Sequence, residues 1–229
     1  MATFNGAKFI REQLESILPQ LSPDDEIIIS DDSSTDETLG IIRSFYDARI
    51  VILEGRNFKN PVRNFENALR HSRGSYIFLC DQDDVWLEGR VAKMCAALEE
   101  FDLVLSDCRI VDQDLSTIHP SYFALVHARP GFLRNLVLPS SYVGCCMAFR
   151  SEVLQKALPF PKGIPMHDFW IALIAELKFR VTFLDEQLLL YRRHADNASS
   201  TASKSKNTLY KKLSLRLATL YLLGKHLLG

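Results

Sequence analysis

Asp81, Asp83 and Asp84 crowd into FLCDQDDVW (78–86) with no Lys or Arg between them. Carboxylates this close repel one another unless water, a cation or a helix N-terminus relieves them. Asp81-x-Asp83, at the end of an apolar run, can share a divalent cation. Hard oxygen ligands suit Mg²⁺ or Mn²⁺, which in turn clamp a diphosphate. An acidic loop opening a helix, with Val85 and Trp86 in the first turn, is equally compatible with these residues. An EF-hand does not fit, because Trp86 stands where that loop needs Gly.

Three further groups could do chemistry. In ISDDSSTDET (29–38), Asp31 and Asp32 can accept hydrogen bonds from a nucleobase N–H and from ribose hydroxyls. A capped helix start, with Ser34 or Thr35 as the cap, accounts for the same residues. In MHDFWIAL (166–173), Asp168 beside His167 can act as a general base of raised pKa, and Trp170 can supply an aromatic floor for a sugar. A helix-start acid and a core Trp are the alternative. In YRRHADN (191–197), Arg192, Arg193 and His194 can close on phosphates or form a solvated basic turn.

The elements that must position these groups alternate over the first hundred residues. A helical apolar pattern (Ile10, Leu14, Ile17, Leu18, Leu21) leads to the strand-like EIIIS (26–30) and a helix from Thr38. RIVIL (49–53) and SYIFLC (75–80) predict strands around a helix over 62–72, and VAKMCAALEE predicts a helix before the strand DLVLSD (102–107). Such alternation predicts a covered parallel sheet, with ligands outside the carboxyl ends of its strands. Asp31–Asp32 and Asp81–Asp84 both fall at such ends. The second half predicts strands at GCCMAFR (144–150) and FRVTFLD (179–185), with a helix over 166–177 between them.

With 229 residues, 47% hydrophobic and 24% charged, the chain has the profile of a soluble globular protein. A net charge of −1 argues against a basic nucleic-acid-binding body. Five cysteines without a C-x-x-C pair fit a reducing cytoplasm. After Asp196 there is no acidic residue, whereas Lys204, Lys206, Lys211, Lys212, Arg216 and Lys225 all follow. A polar, Ser-rich linker (195–207) leads into this basic, leucine-dense tail. The tail either lies on an anionic membrane surface or packs as a C-terminal helix.

Together and in order, ATFNGAKFI, QLESIL, DDSSTDET, GSYIFLCDQDDVW, GCCMAF, HDFW and YRRH resemble the family-2 glycosyltransferases over residues 2–197. Within that family the chain looks most like bacterial enzymes that build surface polysaccharides, several of which transfer rhamnose. The resemblance implies a GT-A fold, a Rossmann-like mixed α/β sheet flanked by helices, over 1–197, with 198–229 as a helical tail. It implies that Thr3 and Asn5 lie under a nucleotide and that Asp31 and Asp32 hold base and ribose. Asp81 and Asp83 would hold the metal and diphosphate, and Asp168 would be the base. Gly144, Cys145, His167 and Trp170 would line the sugar, with Arg193 and His194 closing over the diphosphate.

The donor implied is a UDP- or dTDP-linked sugar. The acceptor would be a saccharide or lipid-linked saccharide, met at the inner face of the membrane with contact through 204–229. Family members carry an apolar strand leading into ATFNG, and here the chain starts at Met1 with that strand absent. Open apolar faces and unpaired backbone are expected there. Two other readings accompany this one. One is a nucleotide-sugar-binding module without turnover. The other is a dehalogenase-type phosphatase, because DQDDV also satisfies D-x-D-x-[TV].

Overall fold

The computed structural model describes residues 1–138, 140–194 and 209–228. In chain order the elements are β1 (Ala2–Thr3), α1 (Ile10–Ile17), β2 (Ile27–Asp31), α2 (Thr38–Arg43), β3 (Ile50–Leu53), α3 (Pro61–His71), β4 (Tyr76–Phe78) and β5 (Val85–Trp86). There follow α4 (Arg90–Leu98), β6 (Leu103–Val111), β7 (Thr117–His119), α5 (Tyr122–Val126), α6 (Phe132–Val137), β8 (Met147–Arg150), α7 (Ser151–Ala157), α8 (His167–Lys178), β9 (Val181–Arg192) and α9 (Leu209–Leu228).

The expected alternation produces a parallel sheet β1-β2-β3 and a mixed sheet β4-β8-β6-β9-β5, with β7 added to β6. The fold is a mixed α/β architecture, as the resemblance implies. Strand β2 is buried along its whole length, which is why IIIS reads as a continuous apolar run rather than an alternating one. Helix α1 turns Ile10, Leu14 and Ile17 to the core at 0–2% exposure. Each such side chain contributes about 1.5–3 kcal/mol by leaving water. Helix α3 starts after Asn60, whose side chain accepts from the N–H groups of Val62 and Arg63, with Pro61 in the first turn.

Several expectations are corrected. Val85 and Trp86 form no helical turn; they pair antiparallel with Leu190 and Leu189 of β9. The acidic run before them therefore caps no helix, and α4 begins only at Arg90. Helix α2 starts at Thr38 as expected, but its cap differs. Neither Ser34 nor Thr35 caps it, and Asp36 accepts the N–H of Thr38 instead. Gly144–Cys146 is a 3₁₀ turn ahead of β8. The last strand runs unbroken through QLLLY to Arg192 because it pairs on both edges, with β6 and β5.

At the amino end, Ala2 and Thr3 do form a strand, parallel to Ser30 and Asp31. The Met1 ammonium donates to Ile28 O at 2.8 Å. Beyond Met1, between β2 and β4, lies a cavity of about 610 Å³ lined by Ile17, Ile27, Ile28, Phe65, Leu69 and Ile77 among others. The Ser-rich segment 195–207 and Lys204 and Lys206 lie outside the described residues. Helix α9 packs on the body: Leu223 and Thr219 are buried, and His226 Nε2 meets Lys156 O at 2.7 Å. Its ring also sits edge-on to Trp170 at 5.2 Å.

Candidate active site

The first acidic pair closes β2. Asp31 is fully buried and accepts from Thr3 Oγ1 (2.9 Å), Ser34 Oγ (2.6 Å) and Ser34 N–H (2.8 Å). Asp32 accepts from the N–H groups of Phe58 and Asn60, drawing in the loop before α3. Asn5, in a left-handed conformation (φ 48°), accepts from Thr35 N–H through its side chain at 2.8 Å. Gln82 joins this end of the sheet to the second acidic group, since its side chain accepts from Phe4 N–H and donates to Phe4 O. The residues expected under a nucleotide are thus together, and protein donors already satisfy the carboxylates of Asp31 and Asp32.

The second group is arranged differently. Ligating atoms of Asp81, Asp84 and Cys145 lie within 4.8 Å of one another. Burial, and then the charges of Asp83 and Asp168, push the Asp81 carboxyl up to about 7. Burial and the charges of Asp83 and Asp81 drive Asp84 well above the carboxylate range. Asp84 Oδ2 is buried without a partner, while Oδ1 accepts from Arg192 N–H at 2.9 Å. Asp83 receives His194 Nε2 at 2.8 Å. A partnerless carboxylate oxygen beside a second carboxylate, both under strain to stay protonated, suits a hard divalent cation. Burial pushes the Cys145 thiol up as well, so oxygen supplies the favoured donors.

Asp168 faces this group from the first turn of α8. Burial raises its carboxyl to about 6, against hydrogen bonds from the N–H groups of Phe169 and Gly144 that act to lower it. Gly144 is required by contact: a Cβ there would lie 3.2 Å from Asp168 Cβ and 3.4 Å from His167 Nε2. His167 is buried and stacked on Phe65 at 3.8 Å, with neither ring nitrogen hydrogen-bonded. Burial, reinforced by the Met1 ammonium, holds its pKa down to about 3, so the ring is neutral.

Trp170 is corrected. It is fully buried and its indole N–H donates to Ala157 O at 3.0 Å, so it is a core residue and presents no face to a sugar. Arg193 leans on Tyr191, with Nη1 3.1 Å from the phenol oxygen. Arg192, which sequence alone groups with its neighbours, is instead 3% exposed and points inward. Asp84, Gln82 and Arg192 are the residues that sequence reasoning undervalued. Only a strand register placing alternate residues of YRRH inside could have separated Arg192 from Arg193.

The sequence matches the family described as Glycosyl transferase family 2 over residues 1–158. The chain belongs to that family. It is 28% identical over 232 residues to the dTDP-rhamnosyl transferase RfbG of Shigella flexneri, covering 94% of this chain and 78% of that one. It is 26% identical over 208 residues to an Escherichia coli enzyme, UDP-Glc:alpha-D-GlcNAc-diphosphoundecaprenol beta-1,3-glucosyltransferase WfaP, covering 89% and 80%. Among solved structures, S. aureus TarS 1–349 in complex with UDP-GlcNAc superposes with a TM-score of 0.72 at 21% identity. That match covers 96% of this chain and 64% of TarS 1–349, and at this identity it speaks for the fold. Membership makes the chain a glycosyltransferase and sets aside the dehalogenase-type phosphatase.

Proposed function

We propose that this family-2 glycosyltransferase moves a sugar, with inversion, from a UDP- or dTDP-linked donor to a hydroxyl of a growing cell-surface polysaccharide. One observation carries the reading: Asp168, on a helix of the second half, is close enough to Asp81 to raise its pKa. Two acidic segments distant in sequence are therefore neighbours in the fold, which supports one shared site.

The donor's nucleoside would lie against Thr3, Asn5, Asp31 and Asp32. Asp81, Asp83 and Asp84 would hold Mg²⁺ or Mn²⁺, whose positive charge offsets that of the leaving diphosphate. Asp168, ionised above its pKa of about 6, takes the proton from the acceptor hydroxyl as that oxygen attacks the anomeric carbon. A single displacement with a single base inverts the centre. His194, which meets Asp83, and Arg193 would close over the diphosphate, and Gly144 would let the sugar approach Asp168.

RfbG and WfaP, by their names, use a dTDP-linked and a UDP-linked donor, and WfaP a diphosphoundecaprenol-linked acceptor. A lipid-linked acceptor for this chain would be met at the cytoplasmic membrane face. Among the described residues no helix is long and apolar enough to cross a membrane. Helix α9 does leave Leu217, Leu220 and Tyr221 exposed beside Lys225, a surface suited to peripheral contact. Deleting 204–229 should then lower partition onto anionic vesicles.

The central test screens nucleotide sugars for Mn²⁺-dependent thermal stabilisation and then for release of nucleoside diphosphate. Stabilisation and release together support the transferase. Binding without metal-dependent release would favour the module without turnover.

A further inference from the structure

Arg192 follows a pattern unlike either of the basic residues after it. Its Nε donates to the Asp83 carbonyl at 2.7 Å and its Nη1 to the Gln113 carbonyl at 2.6 Å. Its Nη2 pairs with Glu12 of α1, and the guanidinium lies 4.7 Å over the Phe9 ring. Its own N–H holds Asp84. One side chain thus ties the end of β9 to α1, to the acidic segment and to the turn after β6. Its inner end is dry, while Glu12 is 47% exposed. Only a planar fork with several fixed donors can span these partners; a lysine ammonium cannot.

We infer that Arg192 is a positioning residue: it holds the Asp83–Asp84 segment from behind so that its carboxylates converge with Asp81, and it does not reach for phosphate. Three neighbouring acids left to themselves would splay apart. Here the backbone of Asp83 is pinned by Nε and the carboxylate of Asp84 by the Arg192 main-chain N–H. This leaves Asp84 Oδ2 without a partner, in a group with Asp81 and Cys145 whose ligating atoms lie within 4.8 Å of one another. The same strut fixes the start of the residues that follow, so His194 meets Asp83 from a set height. This assignment rests on the cation-binding reading above.

The test uses the full chain with Arg192→Met, Arg192→Lys and Glu12→Gln. Hydrogen exchange compares amides of 81–86 with those of the β6 core at 103–105, and Mn²⁺ affinity is read by electron paramagnetic resonance. For Arg192→Met, exchange over 81–86 should quicken by about tenfold or more while 103–105 stay unchanged. Mn²⁺ affinity should fall by about 10- to 100-fold, the usual effect of removing a group that orients a metal ligand. Arg192→Lys should fall between Met and the parent, and Glu12→Gln should weaken Mn²⁺ binding by less than about threefold, since it keeps every inner contact.

The assignment is overturned if folded Arg192→Met keeps both the slow exchange and the Mn²⁺ affinity. It is equally overturned if 103–105 loosen as much as 81–86, or if Glu12→Gln matches Arg192→Met. If the parent chain binds no Mn²⁺, the cation reading falls, and the exchange over 81–86 still decides the role of Arg192.

Discussion

The carboxylates at the end of β2 and those after β4 are the same residue type at the ends of strands in the two sheets, yet their surroundings are opposite. Asp31 and Asp32 are saturated by N–H and O–H donors from four other residues, Thr3, Ser34, Phe58 and Asn60. Asp81 and Asp84 gather carboxylate and thiol neighbours, and their pKa values rise. The first pair is paid for within the fold and shapes a surface. The second has fewer such donors, and under the proposed function a divalent cation would offset its charge. On the proposed function, hydrogen-bond supply separates scaffolding acids from working ones.

The sharpest way to break this contrast is Asp168→Asn. It should lower the transfer rate constant by about 10²–10⁴ while donor binding stays within a few-fold, since only proton removal is lost. Equal losses in binding and rate would show that Asp168 holds the donor. On the other side, Asp31→Ala should act through stability. It strips partners from Thr3 and Ser34 and should cost about 3 kcal/mol in urea unfolding. A change of less than about 0.5 kcal/mol would mean that the first pair is not the scaffold described.

Asp81 and Asp168 also make stability depend on pH. Raised native pKa values mean that the folded chain binds protons more tightly than the unfolded one. The contribution of Asp168 and Asp81 is therefore full below pH about 4, near the carboxylate reference value. It is lost as pH rises through about 6 and about 7. Metal-free melting temperature should decline across that window, and added Mn²⁺ should restore it increasingly as pH rises, because ligands must ionise to bind. A Mn²⁺ effect that is flat from pH 5 to 8 would exclude these carboxylates as its ligands. The smallest effect is expected from Gly144→Ala. Its Cβ, 3.2 Å from Asp168 Cβ, should shift the base and reduce the rate about tenfold at a stability cost of about 1 kcal/mol.

The alternation of strands and helices was legible because buried parallel strands and amphipathic helices leave distinct periodicities, as in EIIIS and in Ile10–Leu14–Ile17. The acids were legible as a set from their order along the chain. Their division of labour was not, because it depends on which distant N–H groups arrive. Nothing in DDSSTDE announces that Phe58 and Asn60 will complete Asp32. The reading of Val85 and Trp86 as a helix start stays open in the sequence because two residues carry no period, and only pairing with β9 fixes them as strand. Trp170 was misread because HDFW shows a polar beginning and an aromatic end, while α8 is buried from Trp170 to Ala175.

The ladder between β5 and β9 has a mechanical consequence. Leu189 and Leu190 pair with Trp86 and Val85, so the stretch leaving the acidic segment and the stretch leading to His194 are hydrogen-bonded to each other. A disturbance in either stretch is transmitted to the other before it reaches bulk solvent. The two stretches are thus cut from one plate, and the ladder helps set the height at which His194 meets Asp83.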